Sequence, residues 1–402
     1  MTLYADQAAT SYPVLFPVNG AMAYANASSA HKLGRDAKDA LAKARSRIAQ
    51  SLGMPSVSSE NLAKQIVFTS GGTESNNLVL QQSMWRFIIT VPTEHHSVFF
   101  TAQYMGNNQS CDVVFLSVDG QGRLKDLNEL RDLLKGRCGS GTGLISLAYV
   151  NNEVGTILDL VAVGRVIQSA NESRSQTERV WFHSDLMQAP GHVPLNMGSN
   201  GALGAVDFLC LAAHKFHGPP GVGMVVCRAA GFLLHPLFYG GHQQAGVRPG
   251  TEPVGAIVAM AEAFEDANNT TKLAERTAHM RRLTSEIWSC LLPYIAAGVV
   301  LPTGCTNSGD RAPHHVSFCV HGAHRKELVS EMEQDSGVLV SSGSACSTDT
   351  SLPSHVLDAM GVPPKYIHGS LRISLTHLNT QEEVVNRICP GLVKVLEKRL
   401  VM

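Results

Sequence analysis

The sequence predicts an α/β protein built around a mainly parallel sheet of seven strands. Short β-rich runs alternate with helix-like stretches, and the runs are apolar on both faces, as parallel strands covered by helices are. At 402 residues the chain is too long for one compact core, so a second, smaller domain is expected as well. The predicted strands are Gln65–Thr69, Phe87–Val91, Asp112–Leu116, Leu144–Val150, Val180–His183, Asp207–Ala212 and Val222–Cys227.

The helical stretches carry their own signals. In Asp36–Leu52, Ala, Leu and Ile recur at helical spacing among Lys and Arg, and Gly53 follows where a helix C-cap is expected. From about Ala261 the pattern changes to a long charged helix, then shorter strands and a C-terminal helix. We therefore expect a large domain at 15–262 and a smaller α+β domain formed by 1–14 and 263–402.

The composition excludes several classes of partner. The 32 basic and 33 acidic residues give a formal net charge of −1, so no nucleic-acid partner is expected. No apolar run is long enough to span a bilayer, and the N-terminus lacks a basic region followed by an apolar core, so we expect a cytoplasmic protein with no membrane contact. The nine cysteines are scattered without a C-x-x-C pair, which indicates buried thiols in a reducing compartment. Cys346 is the exception.

Ligands of a parallel sheet bind beyond the carboxyl ends of its strands, and the polar clusters fall there. Lys215 follows one apolar run beside a turn rich in Gly and Pro, where a lysine can lose its proton and attack an aldehyde. A lysine snorkelling from a strand end explains this residue alone equally well. Asp185 and Gln188 end another run, and a pyridine nitrogen stays protonated, as an electron sink, beside a carboxylate. A helix cap is the simpler interpretation of that aspartate.

Three further strand ends favour the functional interpretation. The Gly-rich segment Thr69–Asn77 joins a strand to a helix, where backbone N–H groups and the Thr73 hydroxyl can bind a phosphate. His95 can place an imidazole over a planar ring, although a structural histidine is the commoner fate, and Asn152 adds a side-chain donor. An anion cradle, a stacking ring, an acid, amides and a lysine together predict pyridoxal phosphate (PLP), bound as an imine on Lys215.

These residues resemble the cysteine desulfurases, PLP enzymes of the aminotransferase class V group. The resemblance runs from Asp6 to the helix near Leu400, and it implies the PLP-dependent transferase fold type I. The segments that carry it are Thr69–Asn77, Thr93–His95, Val150–Gly155, His183–Gln188, Ala213–Lys215, Arg248–Glu252, Val340–Cys346 and Ser370–Ser374.

The resemblance implies a role for each residue around the cofactor ring. Lys215 would bind the cofactor, and His95 would stack on the ring and shuttle protons. Asp185 would pair with the ring nitrogen, while Asn152 and Gln188 would hold the ring's edge.

The resemblance also implies how the phosphate is bound. Gly72, Thr73 and His214 would contact it within one subunit. Thr251 would reach the phosphate of the partner subunit, which implies a homodimer.

For the substrate, the resemblance implies L-cysteine, with its carboxylate held by Arg372 and with Asn26 as a helper. Lys215 would remove the α-proton. Cys346, in the Ser- and Gly-rich stretch Ser341–Ser347, would attack the substrate sulfur as a thiolate and keep it as a persulfide, while alanine leaves. Three classes of sulfur acceptor remain open: an iron–sulfur scaffold, a protein of tRNA thiolation, or a small thiol.

Three positions depart from the family pattern. Ala212 stands where most members have a serine, so one hydroxyl to the phosphate is missing and weaker cofactor binding is expected. Ala27 follows Asn26 where a proline is usual, which weakens the assignment of Asn26. His242 replaces a third glycine in a loop near the cofactor.

Two other functions compete with a cysteine desulfurase. One is a selenocysteine lyase, acting on L-selenocysteine, a class that the Arg248–Glu252 segment also resembles. Because a selenol is already ionised at neutral pH, the release of selenium depends less on an enzyme thiol. A catalytically silent subunit of the same fold is the other, but the intact Lys215, Asp185 and Cys346 argue against it. Histidine pairs such as His314-His315 suggest a metal, yet no cysteine or carboxylate at metal-binding spacing completes a site, so no metal is expected.

Overall fold

The computed structural model describes residues 3–10, 25–108, 111–229, 232, 234–343 and 352–400. Its strands form a seven-stranded sheet, a three-stranded sheet and a two-stranded pair. In chain order they are β1 (Leu3–Tyr4), β2 (Ile66–Thr69), β3 (Phe87–Thr90), β4 (Asp112–Phe115), β5 (Gly143–Ser146), β6 (Val180–Asp185), β7 (Phe208–Ala212), β8 (Gly223–Cys227), β9 (Val300–Pro302), β10 (His315–Val320), β11 (Val338–Leu339) and β12 (Ser370–Ser374).

The helices pack on both larger sheets, and the longest described helix contributes to the core around the three-stranded sheet. In chain order they are α1 (Lys32–Ser51), α2 (Ser59–Gln65), α3 (Gly72–Leu80), α4 (His96–Asn108), α5 (Leu127–Lys135), α6 (Leu160–Glu172), α7 (Val254–Ala267), α8 (Thr270–Ala296), α9 (Arg325–Ser336), α10 (His355–Ala359), α11 (Pro364–Ile367), α12 (Gln381–Glu383) and α13 (Cys389–Leu400). Short 3-10 turns lie at Gln176–Glu178, Ala213–Lys215 and Gln243–Gly246, and a π turn at Val384–Ile388 precedes α13.

The seven-stranded sheet has the order β2-β8-β7-β6-β5-β3-β4. The strands from β7 to β4 pair in parallel, whereas β8 runs antiparallel to both of its neighbours. Each of the seven predicted runs overlaps one of these strands. In the predicted run Leu144–Val150, the strand ends at Ser146. The chain beyond it still lies along β6, because the Leu147 and Tyr149 amides donate to β6 carbonyls at 3.1 and 3.0 Å.

Helix α1 begins four residues before the predicted stretch, because His31 caps it. The His31 Nδ1 accepts a hydrogen bond from the Gly34 amide at 3.3 Å, which satisfies one of the free N–H groups of the first turn. The helix ends where the sequence predicts, and Gly53 just beyond it has a φ of +65°, a left-handed conformation that favours glycine. Its buried residues are mainly alanines with Leu41 and Ile48, and the helix packs against α7.

A second apolar core lies around the three-stranded antiparallel sheet, whose order is β12-β10-β9. Helices α8, α9 and α13 contribute to this core, and so do Leu3 and Ala5, because β1 pairs in parallel with β11. Helix α7 runs across the predicted domain boundary at residue 262, and that boundary stays a prediction. None of the helices in the described ranges is both long and apolar enough to cross a membrane.

Candidate active site

A cavity of about 250 Å³ opens at the carboxyl ends of the parallel strands. This is the position that the sheet topology favours for a ligand. Most of the predicted site residues line it together: Gly72, Thr73, His95, Asn152, Asp185, Gln188, His214, Lys215 and Arg372. The other lining residues are Ala8, Ala9, Asn76, Ser97, Ala148, Val150, Met187 and Ala212.

Helix α3 begins at the wall of this cavity. No side chain caps its first turn, so the N–H groups of Gly72 and Thr73 have no acceptor within the helix and are available to an anion. A Cβ on Gly72 would lie 2.6 Å from Cε of Met187, so this side chain would have to move if Gly72 were replaced. Nearby, burial first and then Lys215 lower the pKa of His214 to about 4, so this imidazole is neutral at pH 7.

Asp185, at the end of β6, is the buried acid of the cavity. Its Oδ2 accepts a hydrogen bond from Asn76 Nδ2 at 2.7 Å, and its Oδ1 accepts one from the Met187 amide at 2.8 Å. Burial raises the pKa of Asp185, while these two hydrogen bonds and Lys215 oppose the rise. A buried carboxylate with two neutral donors is stabilised further by a cation at hydrogen-bond distance.

His95 belongs to the same hydrogen-bonded chain. Asn76 Nδ2 also donates to Ser97 Oγ at 2.8 Å, and that hydroxyl lies 2.8 Å from His95 Nδ1. The Ser97 amide donates to the same Nδ1 at 3.1 Å, which assigns the proton of the neutral ring to Nε2. Burial, followed by Lys215, lowers the pKa of His95 to about 4, so the ring is uncharged at neutral pH.

Lys215 reaches the cavity from the 3-10 turn that follows β7. Its Nζ donates to the carbonyl oxygens of Ala8 and Ala9, at 2.7 and 2.8 Å. Gln188 Nε2 donates to the Ala8 carbonyl as well, at 3.0 Å. The segment after β1 therefore closes one side of the cavity and holds the amine in place through backbone oxygens.

Arg372 brings a guanidinium from β12 into the cavity, and it is only 2% exposed. Its Nη1 donates to the Asn152 carbonyl at 2.8 Å and also to the Gly343 carbonyl. Its Nη2 pairs with the Asp6 carboxylate at 2.7 Å. The guanidinium is thus held in one position at the cavity wall by a carboxylate and two backbone carbonyls.

Comparisons with known proteins show the family of this chain. The model of the aminotransferase class-V family matches residues 3–386. The chain belongs to that family. Within it, the chain is 32% identical over 408 residues to the cysteine desulfurase IscS of Dictyoglomus turgidum, covering 98% of this chain and 95% of the relative. The predicted membership of the cysteine desulfurase group is therefore confirmed.

Solved structures of this family have the same fold. A NifS-like protein superposes with a TM-score of 0.81 at 32% identity, and the match covers 100% of both chains. A structure described as SspA in complex with cysteine superposes with a TM-score of 0.71 at 27% identity, covering 94% of this chain and 100% of that one. The predicted fold class, with its large, mainly parallel sheet and the fold type I of this family, is confirmed.

Three predicted residues are not part of the cavity lining that the structure describes. Asn26 is exposed, and its Oδ1 accepts a hydrogen bond from the Ser28 amide at 2.9 Å, as in a turn. Thr251 is also exposed, just before α7. Cys346 lies outside the described residues. The roles of these three stay predictions.

The class-V site contains residues that sequence reasoning missed. Asn76 and Ser97 connect Asp185 to His95, and Asp6 pairs with Arg372. A signal was present for Asn76, because it stands one turn into the Gly-rich helix start of Thr69–Asn77. Asp6 could not be linked to Arg372 by pattern, since 366 residues separate them in the chain.

The residues present fit PLP, the cofactor on which this family depends. A buried Asp185, held by two donors and needing a cation, suits a protonated ring nitrogen. The uncapped start of α3 suits the phosphate, and Lys215 suits the aldehyde. Within the described ranges, no cluster of His, Cys, Asp and Glu is arranged to hold a metal ion.

Proposed function

We propose that this protein is a cysteine desulfurase, which transfers the sulfur of L-cysteine to Cys346 and releases L-alanine. The observation that carries the proposal is the presence of Lys215, buried Asp185 and buried Arg372 in one cavity. They provide an amine, an acid for a ring nitrogen and a guanidinium for an α-carboxylate. The names of its relatives, cysteine desulfurase among them, and a related structure in complex with cysteine support the same substrate.

We propose that PLP is held by Lys215 and Asp185, with His95 over the ring and the start of α3 at the phosphate. When bound, PLP supplies an electron sink that makes the Cα–H bond of an amino acid acidic. The chain's part is to keep the ring nitrogen protonated, and Asp185 does this because its carboxylate is buried and oriented by Asn76 and the Met187 amide.

The substrate would be oriented by its carboxylate. Arg372 is anchored by Asp6 and by the Asn152 carbonyl, so its fork keeps one geometry while the carboxylate binds. Lys215 Nζ is then the base that takes the proton from Cα, and the carbonyls of Ala8 and Ala9 hold it at the cavity wall.

Sulfur transfer would use the thiolate of Cys346 as the nucleophile. It attacks the substrate sulfur, a new S–S bond forms, and the bond between that sulfur and the substrate Cβ breaks. The electron pair of the broken bond stays on Cβ, which takes a proton, and Lys215 Nζ returns a proton to Cα. L-Cysteine and the Cys346 thiol thus become L-alanine and a Cys346 persulfide, from which an acceptor takes the sulfur.

We also propose a homodimer in which Thr251 of each subunit reaches the partner's phosphate site. Thr251 is exposed in this chain and lies outside its own cavity. On the same segment, Phe238 and Tyr239 are 44% and 90% exposed, an unusual amount of free aromatic surface that a subunit interface would bury. Sedimentation equilibrium tests the dimer directly, and a monomer at micromolar concentration contradicts it.

The function is tested with the full chain saturated with PLP. Incubation with L-cysteine and a thiol reductant is expected to yield alanine and sulfide in equal amounts, and L-selenocysteine run in parallel tests the competing activity. Cys346→Ser is expected to keep the visible absorbance of bound PLP and to release less than about 1% of the wild-type sulfide, because no thiolate is left to attack.

The matched control is Cys290→Ser, which removes a half-buried thiol from α8, away from the cavity. It should leave sulfide release within about twofold of wild type, since the thiol takes no part in the proposed reaction. Full sulfide release by Cys346→Ser, or absence of a PLP band in the wild-type protein, contradicts the proposal.

A further inference from the structure

A second cavity, of about 240 Å³, lies away from the active site and shares no lining residue with it. One wall is a single face of helix α8, where Arg281, Ser285 and Trp288 follow one another at helical spacing. The opposite wall is the chain between β9 and β10, which contributes Arg311. The proposed function uses none of these residues.

Arg311 is a buried cation that pairs with no carboxylate among the described residues. It is 6% exposed; its Nε donates to the Cys305 carbonyl at 2.6 Å and its Nη2 to the Thr303 carbonyl. In the part of the chain that the structure describes, its Nη1 has no hydrogen-bond partner and no acid pairs with it. Burial lowers the pKa of Arg311 to about 10, and the nearby Cys305 thiol opposes this effect.

Arg281 adds a second positive charge at the same cavity. Its Nη1 donates to the Ser308 carbonyl, and within the described ranges no ion pair neutralises it. Two guanidinium groups that share a cavity repel each other and lose hydration, and a bound anion offsets both costs. Among the described residues, the Nη1 of Arg311 is left without an acceptor, and a carboxylate oxygen can supply one.

The other lining groups indicate what the anion carries. An apolar surface suited to a flat, apolar ligand is formed by the Trp288 ring and the prolines Pro302 and Pro313. The Arg311 guanidinium carbon lies over the Trp288 ring, 5.0 Å from its centroid. No aspartate or glutamate is among the described lining residues, so an ammonium group would have no partner. This argues against amino acids, including L-cysteine and L-alanine.

We infer that this cavity, between α8 and the segment that carries Arg311, is a binding site for a small organic carboxylate with a flat apolar body and no ammonium group. The volume of about 240 Å³ is below the roughly 300 Å³ at which drug-sized ligand pockets begin, so it suits a ligand as small as a single-ring acid.

The test measures the binding of benzoate to the full chain, saturated with PLP, by isothermal titration calorimetry. Benzoate is expected to bind at least tenfold more tightly than benzamide, which has the same shape without the charge, and than acetate, which lacks the ring. The visible spectrum of bound PLP should not change on addition of benzoate, because the cavity is separate from the active site. A spectral change that tracks the binding would assign the benzoate to the active site and overturn the inference.

The matched pair of variants is Arg281→Gln and Arg282→Gln. Both remove one charge from the same helix, but Arg282 is exposed and does not line the cavity. Arg281→Gln should weaken benzoate binding at least tenfold, and Arg282→Gln should change it less than twofold. Absence of benzoate binding, equal binding of benzamide or acetate, or equal loss in both variants overturns the inference; thermal melts establish that both variants are folded.

Discussion

Asn76 Nδ2 donates a hydrogen bond of 2.7 Å to Asp185 Oδ2 and so orients the carboxylate from helix α3. The same nitrogen donates to Ser97 Oγ, which contacts His95 Nδ1. One amide therefore positions both the proposed partner of the ring nitrogen and the imidazole proposed to stack on the ring. The sequence did not indicate this role for Asn76. The contribution of Asn76 can be measured through PLP affinity, independently of catalytic turnover.

Asn76→Ala removes one of the two hydrogen bonds that hold Asp185. A hydrogen bond to a charged acceptor is worth about 1.5–3 kcal/mol, so PLP should bind roughly tenfold to a hundredfold more weakly. The dissociation constant is measured by absorbance titration of the apo-protein. Asn77→Ala is the control, because Asn77 bonds to the Thr73 carbonyl and to Thr101 and does not line the cavity. Equal affinity in Asn76→Ala and wild type contradicts the role.

The parts of the site that could be predicted are those fixed by strand ends. Asp185 and Lys215 each lie at the end of an apolar run, and parallel strands bring such ends to one edge of the sheet. The hydrophobic pattern of the strands was therefore sufficient to predict that these two residues share a site. Asn76 lies in the Gly-rich segment Thr69–Asn77, but its contact with Ser97 depends on how α3 packs against α4, which no local pattern fixes. The Asp6–Arg372 pair forms because the C-terminal part of the chain packs beside the N-terminal segment, where β11 pairs with β1. No local sequence pattern predicts this long-range pairing.

Ala212→Ser tests the departure at the end of β7. Ala212 lines the cavity, and a hydroxyl there would add one hydrogen bond to the phosphate, worth about 0.5–1.5 kcal/mol. PLP should therefore bind roughly two- to tenfold more tightly. Ala213→Ser is the matched control, since Ala213 is fully buried outside the cavity lining and a hydroxyl there gains no phosphate contact. Equal tightening in both variants would contradict a contact made through position 212.

Arg372→Lys tests the proposed substrate carboxylate site. A lysine is a point charge that cannot replace the guanidinium fork held by Asp6 and the Asn152 carbonyl. KM for L-cysteine should rise at least tenfold, with a smaller effect on kcat, in steady-state assays of alanine formation. Arg399→Lys, which alters an arginine paired with Glu331 on α9, should leave KM unchanged. A fall in kcat at constant KM would argue against carboxylate binding by Arg372.

Acidification should destabilise the fold through its buried histidines. Burial lowers the pKa of both His183 and His192 to about 3, from an ordinary value of 6.5. Between these values the unfolded chain binds a proton that the folded chain does not, so stability is complete above pH 6.5 and is lost as the pH falls toward 3. Each such histidine should cost about 2 kcal/mol at pH 5, at 1.36 kcal/mol per pH unit below 6.5.

His192→Gln is the variant that isolates one of these contributions. His192 is buried and its ring stacks on His314 at 3.6 Å between centroids, so the glutamine removes a titrating group from the core. The loss of unfolding free energy between pH 7 and pH 5, measured by urea denaturation, should be smaller by about 2 kcal/mol in the variant than in wild type. His242→Gln, at an exposed position, should leave that difference unchanged. The same pH dependence in His192→Gln and wild type would show that His192 is not kept neutral by burial.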